Sequence, residues 1–210
     1  MRFDEILDRL GDLPLFDAAT VARFDPGDRA ALKARLHRWV KRGRLVSLRR
    51  GMYAFAERYR REPLSPLLVA NNLYRPSYLS GLWVLGFLEL LPEMVTTFTS
   101  VSTRVPRVFE SSLGRFEYRH VKGELFFGFG LREIAGQQVW MAEPEKALLD
   151  LWHLEHGEWD LDRLRSMRFQ RQEIVDAGRL AEYAERFAMP RLVRAVAAWQ
   201  RYRQEEERDA

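Results

Sequence analysis

Four sets of residues have the types that chemistry needs. The first is Glu143-Pro144-Glu145-Lys146. A metal-dependent nuclease of the E-x-K type needs its acid and lysine two apart on a strand, so that both point to one face. Here Glu143 and Lys146 are three apart, Glu145 and Lys146 are adjacent, and Pro144 occupies a helix-opening position. Acids in a first helical turn ordinarily complement the helix dipole. The second set is Asp150, His153 and His156. Asp150 and His153 share a helix face, but no third metal ligand is identifiable, and a histidine near a helix C-terminus is favoured without metal. The third is Ser77, Ser80, Ser111 and Ser112, none within a G-x-S-x-G elbow. No glycine-rich phosphate loop is present either, since Gly128-Phe129-Gly130 lacks the later glycine and the following helix. The fourth is Phe126, Phe127, Phe129 and Trp140. Exposed, these would stack on bases; alternating along strands, they are core. The sequence therefore gives enzyme activity no positive support and assigns no catalytic residue, cofactor or metal.

The strongest chemical signal is charge. Between Arg29 and Arg50 there are nine Lys/Arg and no Asp or Glu. The whole chain carries +4, so the remainder is net acidic at −5. The cations are confined to one module, which is the electrostatic footprint of a nucleic-acid contact.

That module must be positioned by a helix and a hairpin. Leu32, Leu36, Trp39 and Val40 fall on one helical face, and Gly43 closes the helix. Leu45 to Leu48, the turn Arg49-Arg50-Gly51 and Met52 to Phe55 form a two-stranded hairpin. Two shorter helices precede it, Phe3–Leu10 and Ala18–Phe24, the second capped by Asp17; Asp28 or Asp25 caps the basic helix. This order is that of a winged helix-turn-helix. On the basic helix, Ala30, Ala31 and Ala34 permit close approach to base edges, and long cations follow them. Lys33, His37, Arg38, Lys41 and Arg42 are the candidate major-groove residues, with His37 at base edges. Arg44, Arg49 and Arg50 are assigned to phosphate contacts through the wing.

Residues 56–66 are polar and proline-containing and read as a linker. Helices are expected over Leu67–Leu73 and Tyr78–Leu90, the latter capped by Ser77. Strands are expected over residues 94–105, Arg115–Val121, Leu125–Gly130 and Gln137–Ala142, forming an antiparallel sheet of about four strands. Helices over Pro144–His153, Leu161–Met167, Glu173–Phe187 and Pro190–Tyr202 follow, then a frayed tail. The fold class is α+β, with a winged helix-turn-helix at 1–57, a linker at 58–66 and a second domain of small sheet plus several helices at 67–205. Cysteine is absent, no leader-like apolar run opens the chain, and Tyr78–Leu91 is too short to cross a bilayer. These features point to a cytoplasmic protein with no membrane contact.

Three blocks resemble a known family. The run from Leu36 to Ala54, LHRWVKRGRLVSLRRGMYA, is similar to the winged-helix N-terminus of AbiEi-type antitoxins. Val69 to Glu89 resembles the segment opening that family's second domain. VWMAEPEKALLDL (Val139 to Leu151) resembles its A-x-P-E-K-A-L-L-D element. The blocks occur in the family's order and reach to about residue 155; the helical C-terminal quarter shares character but no motif. The resemblance implies the antitoxin of a type IV toxin–antitoxin pair in viral defence. Its N-terminal domain would bind operator repeats in double-stranded DNA and repress the operon. Its C-terminal domain would counter a nucleotidyltransferase-like toxin, in that family often without a stable complex. A stand-alone regulator with the same architecture and no toxin is the alternative reading.

Overall fold

The computed structural model describes residues 1–209, which fall into two compact units. One comprises Met1–Leu73 with Phe109–Gly114, the other Tyr74–Val108 with residues 115–209.

In the first unit, α1 (Phe3–Leu10) is followed by the short strand β1 (Phe16–Asp17), α2 (Ala18–Phe24) and the basic helix α3 (Arg29–Lys41). Then come β2 (Leu45–Arg49), β3 (Met52–Phe55) and α4 (Pro66–Leu73). The caps follow from the sequence. Asp17 accepts from the Thr20 amide at 2.7 Å. Asp28, not Asp25, caps α3, accepting from the amides of Ala30 (3.0 Å) and Ala31 (3.3 Å). Gly43 ends α3 in the left-handed region at φ +62°. The Arg44 amide then reaches back to the Trp39 carbonyl at 2.9 Å. β2 and β3 pair antiparallel, and β1, which the sequence reading did not contain, adds a third antiparallel strand through Phe16↔Tyr53. The shared core holds Phe3, Ile6, Val21, Leu32, Leu36, Trp39 and Phe55. α4, placed by the sequence in the second domain, belongs to this unit.

The larger sheet, which lies mainly in the second unit, corrects the expected one. It is a mixed sheet of six strands, not an antiparallel one of four, in the order β6-β7-β5-β4-β9-β8. The strands are β4 (Ser77–Leu79), β5 (Phe98–Ser102), β6 (Arg107–Ser111), β7 (Gly114–His120), β8 (Phe129–Ile134) and β9 (Gln137–Ala142). β5 runs parallel to β7, and β4 parallel to β9. Tyr78 and Leu79, expected to open a helix capped by Ser77, lie instead in a central strand, Ser77–Leu79, buried on both faces, where alternation disappears. The helix α5 is therefore only Gly81–Phe87. The strand expected at Leu125–Gly130 is a 3-10 turn and loop, with β8 starting at Phe129.

The helices α6 (Pro144–Leu154), α7 (Leu161–Met167), α8 (Ala177–Phe187) and α9 (Pro190–Asp209) complete the unit. α8 starts at Ala177 because Asp176 caps it, the Arg179 amide donating at 2.7 Å; Gln172–Ile174 is a separate 3-10 turn. The tail is not frayed: α9 continues to Asp209. Around α6 every residue from Glu145 to Trp152 is buried, so it forms the centre of the unit. Among the described residues no helix is long and apolar enough to cross a membrane.

Removing the α3 cap should cost about 1 kcal/mol. Asp28→Ala is expected to lower the urea midpoint of the first unit accordingly, whereas Asp28→Asn should restore most of the loss.

Candidate nucleic-acid interface

Nine cations between Arg29 and Arg50 do not make nine contacts. Three are used internally. Arg35 is half-buried and ion-paired with Asp25. Arg44 lies over the ring of Phe3, its guanidinium carbon 4.9 Å from the ring centre. Arg49 is half-buried and donates from Nε to the Leu73 carbonyl at 2.6 Å and from a terminal nitrogen to the Arg50 carbonyl at 3.1 Å. Of the assigned phosphate-binding set, Arg44 and Arg49 thus already serve the fold.

The other six, Arg29, Lys33, Arg38, Lys41, Arg42 and Arg50, are exposed. None of their side chains has an ion pair or hydrogen bond among the described residues. His37 is exposed beside Lys33 and Lys41, one helical turn away from each. Leu32, Leu36 and Trp39 anchor the opposite face, at 5%, 1% and 7% exposure. The buried stripe fixes which way the helix turns, and so presents Lys33, His37, Arg38 and Lys41 with the exposed Ala30, Ala31 and Ala34 to solvent. Arg50 occupies the turn of the β2–β3 hairpin. Arg29 was counted in the basic run but not among the candidate contacts. It opens α3 directly after the Asp28 cap, and its exposure without an ion pair is what includes it.

The acid-rich constellation has a different character. Lys146 and Asp150, one turn apart on α6, are both fully buried and ion-paired. Asp150 also accepts from the Tyr78 hydroxyl at 3.0 Å and from Ser80 Oγ at 2.7 Å. The Lys146 ammonium sits among the rings of Phe187 (5.0 Å), Phe127 (5.2 Å) and Tyr78 (5.5 Å). Burial lowers the Lys146 pKa, opposed by Asp150, and raises that of Tyr78 well above its usual value, reinforced by Asp150. Glu145 is buried too, and accepts from the Asp176 amide at 2.7 Å. Glu143 accepts from the Tyr183 hydroxyl at 2.7 Å. Burial and that carboxylate together push Tyr183 up to about 12.

Gly128 permits this arrangement. At φ +68° a Cβ would lie 2.9 Å from the Tyr183 ring and 3.0 Å from Lys146. The sequence reading weighed Glu143 with Lys146 and Asp150 with His153. It missed the Lys146–Asp150 spacing of four within a mostly apolar helix, which was visible there. The set is built to hold elements together: each acid has a structural partner, and Lys146 and Asp150 have no solvent exposure. His156 is exposed and apart from it. The described residues contain no group of three or more His, Cys, Asp or Glu that would hold a metal ion. Phe126 and Phe129 pack with Tyr78, while Trp140 stays exposed against the edge of Phe129.

No protein-family model matches the chain, and no curated protein is significantly similar to it.

Breaking the buried pair from one side should be costly. Lys146→Met strands the Asp150 carboxylate and is expected to destabilise by about 3–5 kcal/mol. Lys146→Met with Asp150→Asn removes both charges while keeping an acceptor for Tyr78 and Ser80. Denaturant titration should show it recovering more than half of that loss.

His153 supplies a pH signature. Burial holds its pKa below the ordinary 6.5, so the folded state binds its proton less readily than the unfolded chain does. Its contribution is present above the unfolded pKa and is lost as pH falls from there through the lower folded pKa. Stability should decline as pH falls below about 6.5, and His153→Gln should flatten the decline.

Proposed function

We propose that this protein is a DNA-binding transcriptional repressor whose first unit is a winged helix-turn-helix, with α3 as recognition helix and the β2–β3 hairpin as wing. The carrying observation is the set of six exposed, unpaired cations on α3 and the hairpin turn, with no acid among them. The order of two helices, a basic helix and a hairpin supports the reading, because it offers one element to the major groove and one to the backbone. In this reading Arg38, Lys41 and Arg42 contact phosphate at the groove, Lys33 and His37 approach base edges beside the alanines, and Arg50 holds the wing to the backbone. Arg44 and Arg49 shape the wing from inside.

The three-block resemblance carries the finer proposal: an AbiEi-type antitoxin of a type IV pair, repressing its own operon in the cytoplasm and countering a nucleotidyltransferase-like toxin. In the buried network, Tyr78 and Ser80 of the second block meet Lys146 and Asp150 of the third in one polar contact. That role is packing rather than catalysis, in keeping with a non-enzymatic protein.

A gel-shift series on the DNA upstream of its own gene tests the proposal. Four phosphate contacts per protomer, from Arg38, Lys41, Arg42 and Arg50, predict that log affinity falls with log salt at a slope of about −4. A flat salt dependence would overturn it. Arg50→Ala should weaken binding to all sequences alike and reduce the slope by about 1. Arg49→Ala should chiefly lower thermal stability, because its guanidinium holds the Leu73 carbonyl.

A further inference from the structure

A groove of about 580 Å³ lies on the first unit, between α2, the N-terminal part of α3 and the hairpin turn. Its apolar surface comes from Ala18, Ala22, Leu32, Leu36 and Tyr53. Cations border it: Arg23, Arg29, Lys33 and Arg50. No acidic residue lines it. The side chains of Arg29, Lys33 and Arg50 have no ion pair or hydrogen bond among the described residues.

These two properties call for different chemistry. A phosphate backbone satisfies cations but gains nothing from an alanine- and leucine-lined groove. A wholly apolar ligand fills the groove but leaves the cations unanswered. A molecule with an apolar body and one terminal anion satisfies both, and the volume lies within the range that encloses a small organic ligand. We propose that this groove binds a free amphipathic monocarboxylate of roughly ten carbons, its chain against Ala22 and Leu32 and its carboxylate between Arg29, Lys33 and Arg50. Those three cations are also among the proposed DNA contacts, so occupation displaces DNA and the ligand acts as an inducer; this second part rests on the DNA-binding reading.

The first part is tested without DNA. Isothermal titration of the full chain with octanoate and decanoate, both below their micelle concentrations, should give saturable one-site binding. Decanoate should bind roughly ten-fold tighter, as two further buried methylenes require. Octan-1-ol, matched in chain but uncharged, should bind much more weakly than octanoate. Ala22→Phe fills the groove from α2 and should abolish carboxylate binding while leaving DNA affinity unchanged. Should that variant not fold, Lys33→Gln serves instead: it should weaken octanoate without altering octan-1-ol. No saturable binding, equal affinity for octanoate and octan-1-ol, or decanoate affinity unaffected by the substitutions would overturn the site. Decanoate added to the protein–DNA complex should then release DNA in the unmodified chain and not in Ala22→Phe. Carboxylate binding that leaves DNA bound would overturn the inducer role alone. A chain that never binds DNA would defeat the DNA reading while the titration still decides the groove.

Discussion

The second unit depends on one buried ion pair. α6 is enclosed on all sides, and a helix apolar all round has no single face that apolar burial alone would select. Lys146 and Asp150 break that degeneracy. Asp150 must meet Tyr78 and Ser80 at β4 and just beyond it, and Lys146 must enter the ring cluster of Phe127, Phe187 and Tyr78. Together these contacts set the rotation of α6 in the unit. Desolvating two charges is expensive, and the Coulomb attraction offsets it only with good geometry and further hydrogen bonds. Here two hydroxyls provide those bonds, and the glycine at 128 leaves space for the lysine stem. The pair is better understood as fixing how the helix is seated than as a source of net stability.

The first unit uses charge in the opposite way. Its core is small and aromatic, with Phe3 edge-on to Trp39, Phe55 and Tyr59. Its cations divide by depth. Arg35, Arg44 and Arg49 turn inward to a carboxylate, a ring and a carbonyl, where the planar guanidinium suits each partner. The other cations between Arg29 and Arg50 face water without an ion pair or hydrogen bond. The exposed lysines, Lys33 and Lys41, belong wholly to this second group.

Elements with a local cause were readable from the chain. α1, α2 and α3 follow from amphipathic spacing and aspartate caps, and the hairpin from Arg49-Arg50-Gly51 between apolar runs. α6 follows from Pro144 at its start. Elements whose cause is non-local were not. β4 is three residues whose identity as a strand comes from β5 on one side and β9 on the other, and β1 exists only by pairing with β3. Parallel pairing of β5 with β7 leaves no turn signal between them to read. The candidate interface was legible as a set, because net charge is a property of sequence. Which cations are spent inside was not, because Arg49 and Leu73 are distant in the chain.

The unpaired cations have a thermodynamic consequence for the unit that carries them. Six like charges clustered on one helix and one turn repel one another in the free protein. Added salt screens that repulsion, and so relieves the free protein of a strain that a bound polyanion would also relieve. Ionic strength therefore acts on the first unit in two opposed senses: it firms the fold while loosening the grip on any polyanionic ligand. In the second unit the neutralised Lys146–Asp150 pair lies beyond the reach of the ionic atmosphere and changes with neither.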